Sequence, residues 1–486
     1  MPNPYSRTSR AWWLAIPLLC VLYFTSLTTA GLLGPDEPRY ASVAREMARS
    51  GDWITPRLWG QPWFEKPALL YWIAGAAFRL KLSEDIAPRL PVALLSVAFL
   101  IFFQWILRRE FGARAAWAAM LILATSAAWL GYGFIGTTDL PMTVAFAAAM
   151  LLSLDWLETG NGRLLPLAAA LLGVATLAKG LVPLVLTLPL VWCGRRRWRD
   201  LLRPTVWGAF LIISLPWYLL CYLRNGAVFL RTFFWQQHFE RYTSTALAHP
   251  QPLWFYLPVL VAGLLPWTPL VPLCARRALY SDARRRFLLL WALFVLIFFS
   301  FSENKLPGYL LPLAPPAAAL MGSALEASRR VRWALACSAL CLVVIPAALP
   351  ILPRALMSGI SHAPWPPFQW TWLPPIALAA AIFWLESRGR RAVALAVMAV
   401  AVTAGVAALK IVALPAINRV YSARPLWRQI AAERDRVCIA SLRRSWRYGL
   451  NYYSVTPLPA CSESPRPIEV RQAPGEPPRL AGANRP

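Results

Sequence analysis

Between Ala11 and Leu414 the chain repeats one pattern: an apolar run long enough to cross a bilayer, then a short polar break. A hydrocarbon core of about 30 Å needs roughly 20 apolar residues in a helix, so such repetition leaves few folds open. Thirteen spans are predicted, at about 11–30, 88–107, 115–134, 140–157, 164–178, 180–194, 205–223, 254–274, 287–302, 306–323, 331–352, 370–386 and 391–414. The first is read as a span and not a removable leader, because it is too long and lacks a small-residue cleavage site. The stretch PALLYWIAGAAFRL (67–80) is apolar but short, which suits a re-entrant or interfacial helix. With 58% hydrophobic and 15% charged residues, a soluble fold could not cover itself with polar surface. The 25 Trp and 44 Pro fit a polytopic membrane protein, in which Trp collects at interfaces and Pro is tolerated within spans.

The net charge of +27 raises the question of nucleic acid, but the basic residues sit in short clusters between apolar runs. With the N-terminus inside, 22 basic residues fall on the cytoplasmic side, in clusters such as Arg195–Arg197, Arg284–Arg286 and Arg388–Arg391. The short outer loops at 135–139, 303–305 and 353–369 hold only Lys305 and Arg354. This obeys the positive-inside rule, and counting 67–80 as a span would invert it. The basic clusters would meet anionic lipid headgroups, and no nucleic-acid partner is expected. The expected organisation is a transmembrane catalytic domain over 1–414, with an outer first loop at 31–87, and a short outer tail over 415–486. Residues 424–453 read as a helix, a β-like run and an aromatic-rich segment. From about 462 the composition predicts disorder. Six cysteines lie in apolar stretches. Cys438 and Cys461 lie in the tail and could pair outside the cytoplasm. No internal repeat is visible.

The unusual polar residues gather on the outer side. GPDEPRYASVAREMARSGDW (34–53) has Asp36, Glu37 and Pro38 opening a helix, with Tyr40, Val43, Ala44 and Met47 on one face, which suits an interfacial amphipathic helix. Asp36 can be a cap or a functional acid. Asp139, in GFIGTTDLPM, also precedes a proline and carries the same two readings. Together two acids at the outer ends of neighbouring spans suit orienting an acceptor, accepting a proton or holding a cation. WFEKP (63–67) offers Glu65 as a metal ligand or orienting acid and Lys66 as a point charge for phosphate. FSENKLPGYLLPLAPP (301–316) puts Lys305 and Tyr309 four apart, a cation and a phenol suited to phosphate. His238, in FFWQQHFERY, is a surface residue or, with Glu65, part of a zinc-type N/O site. Lys179, in TLAKGL, either snorkels or serves as a site cation.

In the order PDEPRYA, REM, SGDW, FEKP, TTDLPM, LAKGL, the His-bearing loop and KLPGYLLP, these motifs resemble bacterial lipid-linked glycosyltransferases of the GT-C type. The nearest members transfer 4-amino-4-deoxy-L-arabinose to lipid A, and protein O-mannosyltransferases are more distant kin. The resemblance covers about residues 11–320. It implies an all-α, thirteen-span enzyme of the inner membrane, active at the periplasmic face, and a donor sugar on undecaprenyl or another polyprenyl phosphate. It matches Asp36 and Asp139 to the two acids, Arg39, Lys66 and Tyr309 to the lipid-phosphate site, and Glu65 with His238 to a divalent-metal pair. A lipid A phosphate or another envelope glycan is the implied acceptor, membrane lipids surround the chain, and a monomer is expected. Mannosyl or other hexosyl transfer to protein or glycan is the nearer alternative. A transporter is the further one, although transporters place their charges near the midplane and usually carry repeats.

Overall fold

The computed structural model describes residues 4–240, 251–359 and 366–482; the side chains of residues 4–10, 238, 239 and 358 lie outside that description. The chain is built almost wholly of helices, with two small sheets outside the bundle. Every run predicted to span is helical, but not every one is a straight span. By length and apolarity alone seven helices can cross a membrane, and nine if two bent pairs each count as one. The 115–134 run bends by 58° between Ala113–Thr125 and Ala127–Phe134. The 254–274 run breaks by 109° between Leu253–Gly263 and Thr268–Ala275, so the straight span expected there is corrected to a broken pair. The other four expected spans correspond to Pro4–Phe24 (α1), the short pair Val182–Leu186 and Leu188–Cys193, Ala283–Ser300, and Leu373–Ser387. Composition registers apolar length but not a bend inside it.

The first outer loop folds into α2 (Asp36–Ser50), a two-residue hairpin of β1 (Arg57–Leu58) and β2 (Gln61–Pro62), and α3 (Leu69–Arg79), the short helix expected over 67–80. Tyr40, Val43, Ala44 and Met47 of α2 are buried as predicted. Glu37, Arg39, Ser42 and Arg45 are buried too. α2 is covered by α3 and by the tail helix Arg444–Ser454, which encloses its polar residues as well as its apolar face.

Glu37 and Arg89 form the joint of this region. Arg89 is fully buried and directs all its N–H groups at partners: both carboxylate oxygens of Glu37 at 2.8 Å, and the carbonyls of Leu27, Ala30 and Gly31. Glu37 also accepts from the backbone N–H of Leu33 and of Gly136. One ion pair thus ties the end of the first span, the start of α2 and the approach to Asp139. It resolves the usual cost of a buried charge by satisfying every donor.

The tail is more ordered than its composition suggests. β3 (Val437–Ser441) pairs parallel with β4 (Ile468–Arg471), which pairs antiparallel with β5 (Arg479–Gly482). The predicted disorder from 462 is therefore corrected. Ile468 and Val470 are buried in a small core with Val437, Leu450 and Tyr452, and that burial fixes a segment whose composition alone reads as flexible. Cys438 and Cys461 are joined in a disulfide, a bond of oxidising compartments, in keeping with a tail outside the cytoplasm. The tail docks on the first loop by specific bonds. Tyr452 donates to the Glu84 carbonyl at 2.6 Å and Tyr453 to Asp85 at 2.8 Å, and Arg424 pairs with Asp85. At Gly31 the two parts touch so closely that a methyl group would collide with Ser422 Oγ and Tyr453 Oη.

Candidate active site

Asp36 and Asp139 each open a helix, and neither caps it. The N-cap positions are Pro35 and Thr138, and no side chain caps either helix. Both acids turn instead to cations. Asp36 Oδ1 accepts from Arg39 Nη2 at 2.6 Å, one turn along α2, and the same nitrogen reaches Glu65 Oε1 at 3.1 Å. Lys66 Nζ lies 3.6 Å from that Glu65 oxygen. The hairpin β1–β2 delivers Glu65 and Lys66 to the start of α2, which links Asp36, Arg39, Glu65 and Lys66 in one row of alternating charge.

Arg39 is the centre of the row. It is 3% exposed, and the rings of Tyr40, Trp63 and Tyr448 lie 5.2, 5.7 and 5.4 Å from its guanidinium carbon. Burial draws its pKa down, but the carboxylates of Glu65 and Asp36 oppose burial and keep the guanidinium charged. Burial, reinforced by Asp36 and Glu65, pushes the Tyr40 phenol well above its usual range, so it stays neutral. Arg39 Nε is buried with no hydrogen-bond partner among the described residues. Asp36 remains open, its side chain 42% exposed.

A second half is built around Asp139. Lys179, the last residue of helix Leu165–Lys179, donates to Asp139 Oδ1 at 2.5 Å, and its ammonium sits 4.6 Å from the Tyr309 ring centre. Of the two readings open for Lys179, pairing with Asp139 replaces snorkelling. The charges of Asp139 and Asp36 both act on the Tyr132 phenol. Its hydroxyl rests on Gly308, where a methyl group would come within 2.6 Å of it.

Lys305 departs from this grouping. The sequence puts it on one helical face with Tyr309, but the helical turn begins only at Pro307, and Lys305 Nζ donates to the carbonyls of Ser302 and Gln251 at 2.6 and 3.0 Å. The shared-face prediction is corrected accordingly. The side chain of His238 lies outside the described residues. Among the described residues no group of three His, Cys, Asp or Glu side chains could hold a metal, and Glu65 already faces Arg39 and Lys66, whose charges oppose a divalent ion. No step is assigned to a metal.

Sequence reasoning missed Arg89, Tyr132, Trp63 and Tyr448. Arg89 carried a usable signal, since it stands just before an outer span end, against the inside bias of the other arginines. Tyr132 lies seven residues before Asp139, near the end of the preceding span. Nothing local marks Tyr448, which reaches the site only through the folding of the tail.

Residues 65–219 match the family described as dolichyl-phosphate-mannose-protein mannosyltransferase. An undecaprenyl phosphate-alpha-4-amino-4-deoxy-L-arabinose arabinosyl transferase of Edwardsiella ictaluri is 35% identical over 331 residues, 64% of this chain and 59% of that protein. A transferase of the same description from Pseudomonas fluorescens is 36% identical over 339 residues, 66% of this chain and 58% of that protein. The chain thus aligns with about three fifths of the length of these curated relatives. The crystal structure of ArnT from Cupriavidus metallidurans bound to undecaprenyl phosphate superposes with a TM-score of 0.75 at 26% identity, over 96% of this chain and 87% of that one. In fold and in sequence, this chain resembles the GT-C lipid-linked glycosyltransferases.

Proposed function

We propose that the chain is an inverting glycosyltransferase that moves a sugar, 4-amino-4-deoxy-L-arabinose by the nearest resemblance, from polyprenyl phosphate to a phosphate of lipid A or another acceptor at the outer face of the inner membrane. The observation that carries this reading is the row Asp36–Arg39–Glu65–Lys66, with a second pair, Asp139–Lys179, set against the Tyr309 ring. A polyprenyl phosphate leaves with negative charge. Arg39, whose Nε is buried and without a described partner, and Lys66 supply preorganised positive charge where that develops, with Lys179 and Tyr309 beside them. The acceptor attacks the anomeric carbon from the opposite face; that bond forms as the bond to the phosphate oxygen breaks. Asp36, the exposed acid, orients the acceptor and takes its proton when the acceptor is a hydroxyl. A phosphate acceptor is already anionic, and Asp36 and Asp139 then position it or steady the positively charged sugar in the transition state.

Hexosyl transfer, of mannose or another sugar to protein or glycan, is the second reading, favoured by the family match over 65–219. Mass spectrometry of lipid A and other envelope glycans, with and without the gene, separates the two: loss of an aminopentose from lipid A supports the first, loss of a hexose elsewhere the second, and an unchanged envelope refutes both. A metal held by Glu65 and His238 belongs to the same set of proposals and is tested by metal analysis of the purified protein. The orientation is tested by cysteine labelling from the periplasm, expected to reach position 52 and to fail at 196; the reverse pattern overturns it.

A further inference from the structure

A second concavity lies at the other end of the bundle from the charged row. α1, the helix Ala113–Thr125, the helix Ala314–Ala327 and the helix Arg391–Tyr421 enclose a groove of about 1000 Å³. Its walls are apolar, with Leu19, Leu22, Met120, Ala124 and Ala399 among them. Trp12 of α1 stacks edge-on against Trp117, ring centres 4.8 Å apart. Its charged residues gather at one end. There Arg114, Arg329 and Arg391 face Glu326 and Glu386, three cations against two acids. Arg114 stays 85% exposed while 3.5 Å from Glu326. Arg330, Arg332, Arg388 and Arg390, close in sequence to the groove's own residues, are exposed.

The depth is informative. From Arg114 at the mouth to Thr125 at the inner end is about 16 Å by helical rise. That equals roughly one leaflet of a 30 Å hydrocarbon core. A buried polar atom marks the mouth: Ser328 Oγ is 1% exposed and has no hydrogen-bond partner among the described residues, while the Ser328 carbonyl accepts from Arg391 Nη2 at 2.9 Å.

We propose that this groove binds one anionic phospholipid of the cytoplasmic leaflet, its acyl chains along the apolar walls and its phosphate at Ser328, Arg114 and Arg329. An acyl chain fits a dry channel one leaflet deep, and the excess of arginine selects a net negative headgroup over a zwitterionic one. The assignment rests on the inside orientation of the arginine clusters, and it is independent of the sugar transferred.

The test uses the full chain in nanodiscs holding equal phosphatidylglycerol and phosphatidylethanolamine, with retained lipid counted by native mass spectrometry. Wild type is expected to keep phosphatidylglycerol in preference. Ala396→Trp, which fills the groove, is expected to lower retention at least about tenfold. The double substitution Arg114→Glu, Arg329→Glu changes two exposed side chains, and it is expected to abolish the preference for phosphatidylglycerol without unfolding the protein. Equal retention of the two lipids by wild type, or unchanged phosphatidylglycerol retention in the double variant, overturns the proposal. Labelling of position 196 from the periplasm would place the groove in the outer leaflet and also overturn it, whereas an envelope unchanged by gene loss would leave it standing and refute only the transferase reading.

Discussion

Asp36 and Glu37 are neighbours in sequence and opposites in use. Glu37 is buried against an arginine whose every donor is matched, while Asp36 is two-fifths exposed beside an arginine whose Nε has no described partner. The closed pair spans three segments of chain and holds them in place; the open row presents charge to whatever enters. A buried pair with every donor matched is architectural, whereas Asp36, open to solvent beside Arg39, is the acid left to face what enters. Two helix-opening acids that look alike in sequence are separated by this criterion alone.

The contrast is broken most sharply at Asp36. Asp36→Asn keeps the size of the side chain and removes its charge, so transfer is expected to fall by about 10²–10³, the loss of one preorganised electrostatic contact at the reacting centre. Binding of the lipid donor and the melting temperature are expected to stay near wild type. Radiolabelled transfer beside a thermal melt in detergent measures both, and full activity in this variant would refute the role of Asp36. At Arg89 the pattern should reverse. Arg89→Leu leaves Glu37 charged and buried, and removing one partner of such a pair costs about 3–5 kcal/mol. Monodisperse protein is expected to be lost or strongly destabilised; a normally folded Arg89→Leu would show that Glu37–Arg89 is not the joint described. Lys66→Ala comes next, with a loss of about 1.5–3 kcal/mol of charge-assisted contact to phosphate, or about tenfold to a hundredfold in transfer, at unchanged stability. Near-normal transfer would remove Lys66 from the phosphate site.

The sequence made the apolar helices and part of the charged row legible, for a physical reason. Apolar length and arginine asymmetry are one-dimensional properties, and acids beside prolines at span ends stand out in an apolar chain. Asp36, Arg39, Glu65 and Lys66 meet within about thirty residues, so their grouping is nearly local. The pairing of Asp139 with Lys179 was not, because it needs two helices packed side by side. The bends at 126 and 265 were invisible, since composition reports apolar length and not direction. The tail was misread because its proline and charge imitate disorder, while a few buried residues such as Val437 and Val470 suffice to fix it. Lys305 was misplaced because helical spacing was assumed where the chain is still extended.

The smallest effect sharpens the contrast most, because it concerns a residue that touches Arg39 from the tail. Tyr448 stacks on Arg39 at 5.4 Å and on Trp59 at 5.6 Å, and Arg444 lies 5.4 Å from its other partner surface. It forms no hydrogen bond among those described that would tie it to the reacting groups, so its influence must pass through the guanidinium. A cation–π contact of this kind contributes about 0.5–2 kcal/mol. Tyr448→Leu removes the ring and frees Arg39 to swing from Asp36 and Glu65, so transfer should fall roughly two- to thirtyfold. The loss should appear in kcat more than in KM for the donor, since Lys66 still holds the phosphate. Tyr448→Phe keeps the ring and should restore activity. A purely structural role would instead lower the melting temperature in both variants alike, and equal activity of Tyr448→Leu and Tyr448→Phe would show that the tail does not steer Arg39.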